Sequence, residues 1–156
     1  MAKAQGMYVL RNVSLRIFKQ LTFISDAFAL NYGSDSWQPA RIHDAYNAAS
    51  SHGFKMFISL DMTALNCGEN SIVSSVISKY KSHPAQLKDS SNAVIVSTFD
   101  GGSCKSNGQW QAALNASGAK YRFVPAFFND LTSQTLKSQF PVIGGDLLVG
   151  FLSTRN

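Results

Sequence analysis

The sequence has little of what defines several classes of protein. Only 15% of its 156 residues are charged, and Glu69 is its single glutamate. Its two cysteines are too few for a disulfide-built miniprotein or a four-cysteine zinc module. Because no window reaches the ~20 consecutive apolar residues of a membrane span, we expect no membrane association. The fold must therefore be stabilised by a core of apolar side chains rather than by a disulfide framework or bound metal ions.

Apolar and aromatic residues are plentiful. Hydrophobic residues make up 45% of the chain, and Phe, Tyr and Trp contribute 11, 5 and 2 residues. This composition excludes intrinsic disorder, which needs low hydrophobicity and high net charge. The length fits one domain at the usual ~100–200 residues per domain.

The formal charge of +5 is unevenly distributed. Residues 7–25 hold Arg11, Arg16 and Lys19 without any acidic residue, whereas the other basic residues are scattered and form no run. Nucleic-acid binding needs basic side chains concentrated on one face, so no nucleic-acid partner is expected. No glycine-rich nucleotide motif and no metal-ligand spacing of histidines occurs, so we expect no cofactor and no metal.

From residue 26 onward, strand-like and helix-like segments alternate. The predicted strands are residues 26–32, 55–60, 93–99 and 121–127, with a fifth beginning at 141. The predicted helices are residues 39–51 and 72–80, a third that contains residues 110–114 and ends at Gly118, and a short fourth near 131–136. Such alternation indicates βαβ units and a parallel sheet. The predicted fold class is α/β, with parallel βα units forming about half of a (β/α)8 barrel; an open doubly wound sheet is the structural alternative.

Polar side chains follow the predicted strands, where parallel α/β folds bind ligands. The candidate binding residues share this position or add an aromatic ring beside it: Asn31, Asp61, Asp100, Asn129, Trp37 and Phe128, with Phe99 and Phe127 nearby. Oxygen and amide groups beside aromatic rings suit a sugar. The alternative is that the Asp and Asn residues cap helices or hold turns. Cys67 and Cys104 follow neighbouring strands and either pair as a disulfide in a secreted protein or remain free thiols.

Four segments together resemble glycoside hydrolase family 71, the fungal endo-α-1,3-glucanases or mutanases. They are DAFALNYGSDSW (26–37), HGFKMFISLDMT (52–63), VSTFDGG (96–102) and YRFVPAFF (121–128). The resemblance covers about residues 26–143. It implies a (β/α)8 barrel that hydrolyses α-1,3-glucan with inversion, in a protein that is secreted or acts at the fungal cell wall.

The resemblance also implies a missing catalytic pair. In the family the two carboxylates lie in a D-x-x-E motif, and this chain has none, so its catalytic residues are unknown. Asn31, Asp61 and Asp100 match strand-end positions of the family motifs and receive a substrate-cleft role only. We therefore expect a single partial catalytic domain, inactive by itself, without a signal peptide and prone to self-association.

Two segments depart from the family pattern. Residues 7–25 interrupt a family sequence that would run from Gly6 through one isoleucine to Asp26, and residues 144–156 form an unrelated tail. Back-translation of Met7-Tyr8-Val9 permits the splice donor GTATGT, and that of Ile24-Ser25 permits a terminal AG. We expect residues 7–25 to be translated intron and the tail to be aberrant. The alternative for residues 7–25 is a basic amphipathic helix.

Two further functions stay open from the residues alone. One is a non-catalytic module that binds α-glucan through the strand-end residues. The other is an unrelated small α/β enzyme that uses Asp61 and Asp100 as its carboxylate pair.

Overall fold

The computed structural model describes residues 7–9, 27–68, 70–127 and 133–144. Strands and helices alternate through them, as the sequence predicts. The elements are β1 (Met7–Val9), β2 (Ala27–Tyr32), α1 (Gln38–Ser51), β3 (Lys55–Asp61), α2 (Asn70–Tyr80), β4 (Val94–Phe99), α3 (Asn107–Asn115), β5 (Tyr121–Phe123) and α4 (Ser133–Gln139). The α/β class is therefore confirmed.

The strands form one sheet in the order β1-β2-β3-β4-β5. β2, β3, β4 and β5 are parallel, and β1 is antiparallel to β2. The predicted strand over 121–127 is shorter than expected and continues only as a bridge between Phe99 and Ala126. The predicted strand from 141 is a single parallel bridge between Ile143 and Phe123. In the described residues, strand order follows chain order without the reversal that a doubly wound sheet requires.

The parallel register separates the sheet into two different faces. Ile58 pairs with Val96 and Val96 with Phe123, and all three side chains are buried in the core shared with the helices. On the other face Ser59 pairs with Asn31 and Ser97, and these three side chains are only half-buried. Because side chains alternate along a strand, the helices cover one face and leave the other partly open.

Helix α1 buries one stripe of its surface against β2 and β3. Ile42, Tyr46 and Ala49 follow helical spacing and are buried, as predicted. Pro39 lies in the first turn, where its missing N–H costs no intrahelical bond. Gly53 follows the helix with φ of 75°, a left-handed conformation that glycine adopts without steric penalty.

Helix α3 begins with a reciprocal cap. The Gln109 backbone N–H donates to the Ser106 hydroxyl, and the Ser106 N–H donates to the Gln109 side chain. Trp110 lies in the first turn of α3 and is fully buried, with its ring 5.0 Å from that of Phe123. The aromatic pair anchors α3 to β5.

Of residues 7–25, the structure describes only residues 7–9, which form β1. Met7, Tyr8 and Val9 pair with Leu30, Ala29 and Phe28. Residues 7–9 therefore form a strand. The alternative of a basic amphipathic helix has its apolar face at Leu10, Val13, Ile17 and Leu21, which lie outside the described residues.

Thr98 offers a test of this core. Its side chain is 1% exposed, and its hydroxyl has no hydrogen-bond partner among the described residues. Thr98→Val keeps the shape and removes the buried polar atom, so we expect the free energy of unfolding to rise by about 1 kcal/mol. Urea unfolding measures it. The exposed substitution Ser90→Ala serves as the control, and lower stability in Thr98→Val would contradict the packing described.

Candidate strand-end site

Asn31 and Asp61 meet at the carboxyl end of two neighbouring parallel strands. Asn31 lies near the end of β2 and Asp61 is the last residue of β3. The Asn31 Nδ2 donates to Asp61 Oδ2 at 3.0 Å. Both side chains are half-buried, so each keeps a surface that a ligand can reach. The residues expected from the sequence to lie together therefore do so here.

Thr63 completes the surroundings of the Asp61 carboxylate. Its backbone N–H donates to Asp61 Oδ1 at 3.0 Å, and its hydroxyl donates to the same oxygen at 2.6 Å. Burial by itself would raise the pKa of Asp61, but the hydrogen bonds from Thr63 and Asn31 outweigh burial and hold that pKa below its ordinary value. Asp61 is therefore an ionised hydrogen-bond acceptor.

Thr63 is not among the site residues predicted from the sequence. Its signal is short but recognisable, because an Asp followed two residues later by Thr commonly forms a turn closed by side-chain hydrogen bonds.

Asp100 lies immediately after β4, the next strand of the sheet. Its backbone adopts a left-handed conformation with φ of 58°, and its Oδ1 accepts from the Gly101 N–H at 2.6 Å. Gly101 also has a positive φ, 106°, and a Cβ there would lie 2.8 Å from Met62 Cγ. The chain after β4 thus packs directly against the chain after β3, which brings the Asp61 and Asp100 turns together.

The alternative of capping or turn formation is correct in part. Asp61 and Asp100 each hold a turn through backbone N–H groups. Asn31 does not cap α1, which begins after Trp37 without a side-chain cap, and Asp100 does not cap α3, which is capped by Ser106.

The aromatic candidates separate into different environments. Trp37 is 59% exposed in the loop between β2 and α1, where its ring is free to stack on a ligand. Phe127 does not face this edge, contrary to expectation: it is 1% exposed and packs against Trp110 and Phe140 in the core. Phe128 and Asn129 lie outside the described residues.

A disulfide joins the loops that follow β3 and β4. Cys67 and Cys104 are bonded, with their Cα atoms 5.2 Å apart. The bridge connects the chain after Asp61 with the chain after Asp100. It therefore braces the edge that carries both aspartates.

The described residues contain no cluster of three or more His, Cys, Asp or Glu side chains that could hold a metal ion. Within the same ranges, no helix is long and apolar enough to span a membrane.

The pKa of Asp61 can be tested directly. We expect Thr63→Val to raise that pKa toward its ordinary value, because the hydroxyl donor is lost, whereas Thr63→Ser keeps the donor and changes little. NMR titration of the Asp61 carboxyl carbon measures both. Since the folded pKa lies below the unfolded value of ~3.9, Asp61 stabilises the fold above about pH 4, and this stabilisation disappears as the pH falls through the lower folded pKa. Equal pKa values in Thr63→Val and the parent protein would contradict the hydrogen bonding.

The fold and the site together define an α/β protein with polar groups gathered at the carboxyl edge of a parallel sheet, where such folds bind ligands. The sequence profile described as glycosyl hydrolase family 71 matches residues 16–147. The chain belongs to this family. The matched range includes residues 16–25 of the suspected insertion and ends just beyond Ile143.

Curated relatives carry names that agree with the family. The chain is 45% identical to the glucan endo-1,3-alpha-glucosidase agn1 of Schizosaccharomyces pombe over 78 residues, which cover 49% of this chain and 18% of that protein. It is 40% identical to a mutanase of Penicillium rubens over 79 residues, 50% of this chain and 18% of the mutanase. It is 29% identical to the ascus wall endo-1,3-alpha-glucanase of Schizosaccharomyces pombe over 131 residues, 77% of this chain and 30% of that protein.

The matches thus span less than a third of the length of these relatives. No solved structure matches the chain significantly.

Proposed function

We propose that this chain is part of an endo-α-1,3-glucanase and binds α-1,3-glucan at the Asn31–Asp61 edge. The observation that carries the proposal is the hydrogen-bonded pair itself, which lies at the carboxyl end of adjacent parallel strands in a member of family 71. Carboxylate and amide groups at the strand ends, with an exposed tryptophan in the loop that follows β2, supply the group types that a sugar needs: partners for its hydroxyls and a ring for its apolar face.

The sheet supports a partial barrel. Four parallel strands follow one another in chain order with the helices on one face, which is how a (β/α)8 barrel is built. On the opposite face Asn31, Ser59 and Ser97 are half-buried, as expected where the strands completing a barrel would pack. The chain then supplies about four of the eight βα units.

The electrostatics of Asp61 favour binding over acid catalysis. An inverting glycosidase needs one protonated carboxyl group as general acid and one carboxylate to activate water, ~6.5–9.5 Å apart. A general acid has a raised pKa, whereas hydrogen bonds hold the pKa of Asp61 below its ordinary value even though burial opposes them. Asp61 therefore accepts sugar hydroxyls, and the acid of an inverting pair lies elsewhere in the full-length enzyme.

This assignment also weighs against the unrelated small α/β enzyme. In such an enzyme Asp61 and Asp100 would have to share the acid and base roles. Asp100 Oδ1 already accepts from the Gly101 N–H, and Asp61 is held ionised.

The test is co-sedimentation of the full chain with insoluble α-1,3-glucan. We expect binding without release of reducing ends, and a loss of about tenfold or more in affinity for Asp61→Asn and Asn31→Ala, because each leaves a polar group unpaired. Asp44→Asn is the matched control: Asp44 pairs with Arg41 on the exposed side of α1, so its loss should leave binding unchanged.

Insoluble β-1,3-glucan controls for nonspecific adsorption. Equal binding of the parent protein to both polysaccharides, or unchanged binding by Asp61→Asn, would refute the assignment. Release of reducing ends by the parent chain would instead show an active enzyme and contradict the expected inactivity. Binding without hydrolysis is also what a non-catalytic α-glucan-binding module would show, a second candidate favoured by the absence of D-x-x-E.

The transcript separates these two candidates. We propose that residues 7–25 are translated intron, residues 144–156 an aberrant tail, and the natural product a secreted or cell-wall enzyme. Sequencing the mature transcript should then show an in-frame deletion within the codons for residues 7–25 that leaves one isoleucine codon between Gly6 and Asp26. It should also show an open frame beyond Ile143. A transcript that matches the printed sequence would contradict the intron and leave a glucan-binding module as the function.

A further inference from the structure

Lys105 is a buried lysine that reaches from one strand-end loop to the next. It lies in the loop between β4 and α3 and is 3% exposed. Its Nζ donates to the Cys67 carbonyl oxygen and, at 2.7 Å, to Asn70 Oδ1. Nζ also lies 5.9 Å from the centre of the Trp110 ring. One side chain therefore connects the end of the β3–α2 loop, the start of α2 and the first turn of α3.

A gain in stability does not explain why a lysine, rather than an apolar residue, occupies position 105. Both described acceptors are uncharged oxygen atoms, and burial lowers the pKa of Lys105. Replacing a buried charged side chain with an apolar one of similar volume is often neutral or stabilising, because desolvation opposes the gain from hydrogen bonding. An apolar side chain in this position would make no hydrogen bonds and so would not orient the neighbouring loop. The ammonium group of a lysine has donors that fix where its acceptors lie.

The acceptors belong to the chain that carries the candidate site. The β3–α2 loop begins with the turn of Asp61 and Thr63 and ends near Cys67. The β4–α3 loop begins with Asp100 and ends near Lys105. Beside the lysine, the disulfide of Cys67 and Cys104 joins the same two loops. A disulfide limits the separation of two loops, and the hydrogen bonds of Lys105 add a fixed orientation.

We propose that Lys105 is a positioning residue that holds the β3–α2 loop against the β4–α3 loop and so sets Asp61 relative to Asp100 for α-glucan binding. The role in binding rests on the function proposed above. The role in holding the loop is independent of that function, and separate experiments measure the two roles.

Hydrogen exchange tests the loop. Lys105→Met keeps the length and apolar stem of the side chain without its donors, so the amides of Ala64 and Leu65, which donate to the Asp61 carbonyl, should exchange about tenfold faster or more. Lys81→Met is the matched control. Lys81 also donates to two backbone carbonyls, those of Ser117 and Gly118, but it lies at the ends of α2 and α3. Its loss should leave Ala64 and Leu65 unchanged.

Asn70→Ala keeps the proposal testable if Lys105→Met does not fold. Asn70 is exposed, and its loss removes one of the two described acceptors of Lys105. We expect a smaller rise in the same exchange rates. The effects of Asn70→Ala and Lys105→Met should not add, because both remove one shared hydrogen bond. Additive effects, or loop amides that exchange as in the parent protein, would overturn the positioning role.

Glucan affinity distinguishes a role of Lys105 in binding from a purely structural role, which would leave the affinity unchanged. At a temperature where both variants are fully folded, Lys105→Met should bind insoluble α-1,3-glucan about fivefold more weakly or worse, and Lys81→Met should bind as the parent does. Faster loop exchange with unchanged affinity would restrict Lys105 to the loop and overturn its role in binding. A parent protein that binds no glucan would refute the proposed function, while the exchange result would still decide whether Lys105 holds the loop.

Discussion

The parallel register of β3 with its neighbours is the constraint on which both the core and the site depend. Ile58 pairs with Leu30 on one side and Val96 on the other, which aligns apolar side chains beneath the helices. Because side chains alternate between faces, the same register aligns Asn31, Ser59 and Ser97 on the opposite face. A shift by one residue would move Ile58 out of the core and a serine into it. Burial of the helix-facing row therefore also fixes the row that ends in Asp61.

The site is polar because its residues lie where the sheet ends and the helices do not cover it. Asp61 loses some water contact there, and Asn31 and Thr63 replace it with hydrogen bonds to the charged carboxylate. Such bonds are stronger than those between neutral groups, and they favour the ionised form. The interaction that keeps Asp61 charged also orients it. A ligand hydroxyl then meets an acceptor whose position is already determined.

The sequence predicts the periodic parts of this protein well. The spacing of Ile42, Tyr46 and Ala49 identifies the buried stripe of α1, because helical periodicity and burial share one cause. The pairing of Asn31 with Asp61 is predicted at the level of the shared sheet edge, since parallel strands end at the same side. Phe127 was misplaced because its strand was expected to continue, whereas β5 ends at Phe123 and the chain turns the ring into the core.

Contacts between distant loops could not be predicted in the same way. Lys105 carries no periodic signal, and its carbonyl acceptor exists only once two loops are brought together across 38 residues of sequence. Cys67 and Cys104 mark the same contact, yet their sequence positions fit free thiols as well as a bridge. Tertiary hydrogen bonds of buried polar side chains depend on the fold, whereas propensity and periodicity are properties of the local chain.

The placement of β1 connects the partial barrel to the suspected insertion. β1 pairs antiparallel with β2 through Leu30, Ala29 and Phe28, so it occupies the edge of β2 that faces away from β3. A (β/α)8 barrel requires a parallel strand on that edge, because every strand in the closed sheet has two parallel neighbours. The pairing of β1 and closure of the barrel through β2 therefore exclude each other. β1 lies within residues 7–25, the segment whose removal would restore the family sequence. The same removal would free the edge of β2 for the strand that barrel closure requires, so the splicing proposal and the barrel proposal are compatible.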